Sequence, residues 1–343
     1  MNGLAVRFAI LKMNKIIYLL FTASFLLTLS HCGGSDSPAN EYRIAVIPKG
    51  TTHSFWRSIH AGAVKAEREL IEQGIQIAMT WKGPLREDDR EQQIQVVEAF
   101  LSQGMDGIVL APLDDRALVR PVEEALSAGI PTVIIDSALD SDSIVSFVAT
   151  DNVKGGELAA QHMSQLLEGK GKVLMLRYQE GSASTRSREE AFIQKMQSDF
   201  RGIDVLSSDQ YAGPTRDTAK RASENLLNRY GNELDGIFCV NETSTVGMLL
   251  ALQDIDKAGK VVFIGFDSNE ILIDALRQKY LQGLVVQNPF LMGYLGVQTL
   301  MDHLTGKPVA NRVDTGVVMV TPERLDDMEI QDLLYPPMDQ YLE

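Results

Sequence analysis

Gly104-Met105-Asp106-Gly107-Ile108-Val109-Leu110 and Asn232-Glu233-Leu234-Asp235-Gly236-Ile237-Phe238 share one pattern. In each, an Asp-Gly turn feeds an apolar run of strand length, which reads as a buried strand. Further apolar runs lie at Tyr42–Ile47, Ile75–Met79, Thr132–Ile135 and Val145–Ala149. Amphipathic segments alternate with them at Phe55–Gln73, Glu87–Gln103 and Ala117–Ala128. The last two end at Gly104 and Gly129, which suit helix C-caps. Strand and helix in strict alternation mean a parallel sheet with helices on both faces.

A second series follows the second Asp-Gly. Strands are expected at Lys172–Arg177, Ile203–Ser208, Gly236–Val240, Val261–Gly265 and Leu284–Gln287. Helices are expected at Val153–Glu168, Thr185–Phe200, Arg216–Tyr230, Ser244–Ile255, Glu270–Tyr280 and Phe290–Leu304. The fold class is therefore α/β, as two similar Rossmann-like lobes rather than one large sheet. The Pro-rich end at Tyr335-Pro336-Pro337 reads as a surface tail, residues 331–343.

The 343 residues carry Lys+Arg 32 and Asp+Glu 46, a net charge of -14. An acidic balance argues against nucleic acid, whose phosphates demand a basic face. Cys239 lies in an apolar run and reads as a packing residue. The 5 histidines show no metal-ligand spacing, so neither a metal nor another cofactor is expected.

The start of the chain reads as an export signal. Residues 16–30 form an uncharged apolar run after a basic start, shorter than the about twenty residues of a bilayer-spanning helix. Met13 would make the more ordinary start. Leu29-Ser30-His31-Cys32 resembles a bacterial lipobox, although His31 departs from the small residue usual there. Residues 1–32 are expected to be a lipoprotein-type signal with lipid on Cys32, and 33–41 a flexible tether. An uncleaved anchor or plain secretion is the alternative. Either way the rest of the chain works in the periplasm or cell envelope.

In open α/β sheets, ligands sit beyond the carboxyl ends of the strands. Those positions hold Lys49, His53, Phe55, Trp56, Trp81, Lys82, Asp136 and Ser137 in the first lobe. In the second they hold Tyr178, Arg188, Tyr211, Asn241, Asp267 and Gln287. Lys49 and Lys82 read as rim residues. Asn241 could equally cap the following helix, and one of Phe55 and Trp56 should be structural. No activated nucleophile or acid–base pair appears, so an enzyme is not expected. Flat aromatics with Asp, Asn, Gln and Arg suit a sugar, whose rings have apolar faces and a hydroxyl rim.

Val148-Ala149-Thr150-Asp151-Asn152 with Gly155-Gly156, Gly181-Ser182-Ala183-Ser184-Thr185-Arg186-Ser187-Arg188, Asn241-Glu242, Val262-Phe263-Ile264-Gly265-Phe266-Asp267 and Gln287 are specific taken together. They resemble the ribose-binding-protein group of type I periplasmic binding proteins, the solute receptors of ATP-driven sugar importers. The resemblance covers Tyr42 to Thr321. It implies three hinge crossings, near Thr150, Asn288 and Thr315, with lobes at 42–149 plus 288–314 and at 150–287 plus 315–330. It also implies ligand contacts at Phe55, Trp56, Asp136, Arg188, Asn241, Asp267 and Gln287, and at His53, where ribose receptors carry Asn. Ser137 stands where they carry Arg, and the second-lobe aromatic has no clear match, Tyr211 being the nearest ring. The pocket is thus expected to differ from a ribose pocket and to admit a larger or differently oriented ligand.

The function expected is capture of a sugar-like solute by hinge closure and its delivery to an ABC permease. The alternative is a sugar sensor that docks on a membrane histidine kinase or chemoreceptor. A transcription regulator built on the same domain would need a DNA-binding motif where the export signal stands.

Overall fold

The computed structural model describes residues 41–342. The expected signal with Cys32, and the tether up to residue 40, lie outside them. From Tyr42 on, the described chain is one compact unit by itself.

It contains two six-stranded sheets. The first consists of β1 (Tyr42–Ile47), β2 (Ile77–Trp81), β3 (Gly107–Leu110), β4 (Thr132–Ile135), β5 (Ser146–Ala149) and β11 (Arg312–Asp314), in the order β11-β5-β4-β3-β1-β2. The second consists of β6 (Gly171–Leu176), β7 (Ile203–Ser207), β8 (Gly236–Cys239), β9 (Val262–Phe266), β10 (Gly283–Gln287) and β12 (Val317–Val320), in the order β12-β10-β9-β8-β6-β7. All pairs are parallel except β10 with β12. The order is the same in both lobes, so β4 corresponds to β9 and β5 to β10.

The repeated Asp-Gly does the same job twice. Asp106 accepts from Arg43 N at 2.7 Å and Asp235 accepts from Lys172 N at 2.8 Å. Each carboxylate thus takes a backbone N–H near the start of the central strand, β1 or β6, just before its pairing with β3 or β8 begins.

Helices cover both faces: α1 (Ser54–Glu72), α2 (Arg90–Gln103) and α3 (Val119–Ser127) in the first lobe; α4 (Asn152–Leu166), α5 (Ala183–Asp199), α6 (Arg216–Tyr230), α7 (Glu242–Asp254) and α8 (Glu270–Arg277) in the second. Helix α9 (Pro289–Leu304) returns to the first lobe, where Val297 and Leu300 join the core of Ile44, Val46 and Ile59. Each lobe carries one apolar cluster on each face of its sheet. Cys239 is fully buried in one of them.

The chain passes between the lobes after β5, after β10 and between β11 and β12. The first and third passages lie side by side, with Thr150 Oγ1 and Thr315 Oγ1 3.4 Å apart. The C-terminal segment adds another passage. Helix α10 (Met328–Leu334) buries Ile330 and Leu334 in the second lobe's core. Helix α11 (Met338–Leu342) lies on α1 of the first lobe, where Arg68 donates to the carbonyls of Gln340 and Tyr341 at 2.8 and 3.2 Å. Residues 331–343, read from sequence as a surface tail, thus reach both lobes.

Candidate functional site

Asp136 and Asp267 follow the equivalent strands β4 and β9, and both adopt the left-handed backbone conformation, at φ 63° and 67°. Each donates its N–H to the next strand, Asp136 to Val148 O and Asp267 to Val285 O. A non-glycine residue held there costs about 1–3 kcal/mol, and here the strain aims both carboxylates into the cleft. A cavity of about 40 Å³ lies between them, lined from both lobes.

From the first lobe come Lys49, His53, Phe55, Trp56, Glu87 and Asp136. Lys49 is not a rim residue. It is 3% exposed, pairs with Asp136 at 2.8 Å and reaches Ser184 Oγ of the other lobe at 3.4 Å. A buried carboxylate this close needs a cation, and the loop after β1 supplies it. Lys82 is exposed. Trp56 is 2% exposed, a core residue of α1 whose Nε1 still donates to Glu87 at 2.9 Å. Phe55 meets it edge to face, with ring centroids 5.0 Å apart.

From the second lobe come Arg188, Asn241, Asp267 and Gln287, with Tyr178, Ser184 and Glu242 beside them. Arg188 does not pair with its neighbours Glu189 or Glu190 on a solvated face. It is buried, donates to Asn152 Oδ1 at 2.8 Å and Val240 O at 3.0 Å, and lies 3.7 Å over the Phe266 ring. Glu189 is taken instead by Arg177 at 2.7 Å. Asn241 is the N-cap of α7, its Oδ1 accepting from Ser244 N, so only its amide N–H groups stay free to face the cavity. Gln287 Nε2 donates to Asp267 Oδ1 at 2.6 Å. An ionised carboxylate can only accept, which matches an amide N–H turned to Asp267, and Gln287 Oε1 is left buried without a donor among the described residues.

Three expected residues lie outside the cavity lining. Trp81, at the end of the edge strand β2, stacks on His60 with centroids 4.3 Å apart and is not in the cavity lining. Tyr211 sits under Arg177, 4.8 Å away. Ser137 does not line the cavity, but its Oγ accepts from Ser184 N at 3.1 Å and so ties the lobes together.

The charges are coupled across the cleft. The His53 ring lies 3.7 Å from Glu242 and 3.8 Å from Glu87. Glu242 above all raises the imidazole's pKa, with burial opposing and Glu87 adding. Burial alone would raise the Glu242 carboxyl, but His53 and Arg216 outweigh it and hold it at about 2. Burial pushes Asp267 up to about 6 against the pull of Arg188 and Gln287. Sequence reasoning did not mark Glu87, which lies in the loop after β2. It accepts from Trp56 and, across the cleft, from Tyr178 OH at 2.9 Å. From sequence it reads as the first residue of the helix Glu87–Gln103, which in the structure starts only at Arg90.

One flank of the cleft is shut by backbone. Asp115 N donates to Gly181 O at 3.0 Å, and Arg186 pairs with Asp115. A polar cavity lined from both of two paired Rossmann-like lobes is the geometry of a receptor that encloses its ligand. The family model for the periplasmic binding protein domain matches residues 44–308. The chain belongs to the periplasmic binding protein family. This is a family of binding proteins rather than enzymes, and it works outside the cytoplasm.

Among its relatives is the ribose import binding protein of Bacillus subtilis, 29% identical over 322 residues, covering 90% of this chain and 99% of the relative. Two solved structures are similar at a TM-score of 0.81. One is a carbohydrate transporter solute-binding protein from Agrobacterium radiobacter in complex with D-arabinose, 30% identical, covering 86% of this chain and 99% of that one. The other is an ABC transporter solute-binding protein from Agrobacterium vitis with bound D-fucose, 35% identical, covering 85% of this chain and 100% of that one.

Proposed function

We propose that this chain is a sugar receptor that closes its lobes on a neutral sugar and delivers it to an ABC importer. The observation that carries the reading is the unpaired, buried Gln287 Oε1 beside Asp267, in a cavity to which both lobes contribute. A buried acceptor without a donor costs about 1–3 kcal/mol, which a ligand hydroxyl recovers. A neutral ligand fits the charges. Lys49 is matched by Asp136, and Arg188 feels Asp267 as its strongest carboxylate neighbour. A phosphate or sugar acid would find neither cation unmatched. The relatives, named for ribose import and for bound D-arabinose and D-fucose, support this class of ligand.

Closure follows from the site. Lys49 and Glu87 belong to one lobe and Ser184 and Tyr178 to the other, so a ligand touching both sets binds the shut form better. Pentoses, hexoses, deoxy sugars and polyols should be screened on the chain from Ser35 by thermal shift. For the sugar that stabilises it, Asp267→Ala is expected to weaken binding by about 1.5 kcal/mol or more in calorimetry, the scale of a hydrogen bond to a charged group. Unchanged affinity in that variant would remove Asp267 from the site, and the absence of any binding sugar would end the reading.

We read Cys32 as the lipid attachment that keeps the receptor at the membrane, on the strength of the apolar run and exit at residues 16–32. Full-length chain should partition into the detergent phase and Cys32→Ser into the aqueous phase. Equal partitioning of the two would reject lipid on Cys32.

A further inference from the structure

Away from the Asp115–Gly181 contact, the cleft stays open although the lobes are bridged. A groove of about 880 Å³ runs there between the N-terminal ends of α1, α6 and α8 and the C-terminal segment. Five side chains line both the groove and the inner cavity: His53, Phe55, Glu87, Asp267 and Gln287. The two spaces therefore meet at the polar groups that would hold a sugar. The inner cavity, about 40 Å³, has room for only a few waters, whereas the groove has the size usual for ligand sites.

The outer wall is built rather than incidental. Tyr335 and Met338 line it, and the segment is fixed at both ends: by Leu334 in the second lobe's core and by Arg68 holding Gln340 and Tyr341 on the first. Tyr335 is 49% exposed and Ile271, on the facing lobe, 44% exposed. Both are groove residues, so each presents apolar surface to whatever enters. Arg216 and Asn269 bring planar donors to the same groove, each also bonded to Glu242. Aromatic and aliphatic surface with planar donors is the combination that covers a second ring.

We propose that the groove is a second subsite and that the receptor takes glycosides, with the sugar in the cleft and a further ring on its anomeric oxygen lying along the groove. This rests on the sugar reading above. The contact that shuts one flank leaves the other open, so a substituent can project without holding the lobes apart.

The test compares each free sugar of the screen with its methyl and 4-nitrophenyl glycosides, in both anomeric forms, by calorimetry. One anomer of the 4-nitrophenyl glycoside of a binding sugar should bind within about tenfold of the free sugar, or tighter. Tyr335→Ala and Ile271→Ser, both at exposed positions, should each weaken that glycoside several-fold more than they weaken the free sugar. The subsite is overturned if both anomers bind more than tenfold worse than the free sugar, or if both variants affect glycoside and sugar equally. If neither sugars nor glycosides bind, the sugar reading falls and the subsite falls with it. A free sugar that binds while its glycosides are rejected removes the subsite alone.

Discussion

Gly181→Ala is expected to weaken sugar binding about thirtyfold, or about 2 kcal/mol, without unfolding the protein. A Cβ on Gly181 would stand 2.3 Å from Asp114 Oδ2 and 2.8 Å from its Cγ, across the cleft. Asp114 cannot step aside cheaply. Its Oδ1 accepts from the N–H groups of Arg116 and Ala117 at 3.0 and 2.9 Å, and its Oδ2 pairs with Arg90 at 2.9 Å. The backbone at Gly181 also has φ +86°, a conformation alanine adopts only with strain. That strain is local and burdens open and shut forms alike, whereas the clash exists only when the lobes meet. Binding should therefore suffer more than stability. Scattering should show the variant at saturating sugar with a larger radius of gyration than the parent. A variant with parental affinity and parental compaction would show that this contact does not belong to the ligand-bound form.

Gly293→Ala should act on the fold itself. Helices α1 and α9 cross so closely that a Cβ on Gly293 would lie 1.9 Å from Ile59 O, and one on Gly62 would lie 1.9 Å from Phe290 O. Both obstacles are helix backbone, which has no rotamer to change. The first lobe must spread the helix pair or displace Val297 and Leu300 from its core. Overpacking of this kind costs typically 1–3 kcal/mol, and an obstacle of helix backbone puts this case at about 3 or more. The midpoint of thermal unfolding should fall by roughly 6–10 °C. A fall of less than about one degree would mean that the crossing relaxes without cost.

The two aspartates were legible in the sequence because their role depends on local order. An acid that follows an apolar run of strand length sits at a sheet's carboxyl edge whatever the rest of the chain does, and Asp136 and Asp267 do so. The repeated Asp-Gly announced two lobes for the same reason: turn and buried strand are encoded within a few residues. Gln287 and Asn241 were also found by their place after a strand. That Asn241 spends its carbonyl oxygen on capping α7 was one of the two readings its position allowed.

What the sequence could not rank was the partner of each charge. Lys49 looks like a solvated lysine until β1 and β4 take places in one sheet with only β3 between them, which brings it to Asp136. Trp81 looks like a cleft aromatic, but β2 lies at the sheet's edge, and there the ring finds His60. The Tyr178–Glu87 bond and the His53–Glu242 pair form only when the lobes face one another, because each joins residues of opposite lobes. The C-terminal segment carried a usable signal in Ile330, just before the tail as read, and Leu334 within it, one helical turn apart, which the neighbouring prolines obscured. Local pattern determined the elements, the two lobes and the strand-end acids. Sheet order and the meeting of the lobes decided which charges pair, because those contacts join residues far apart in the chain.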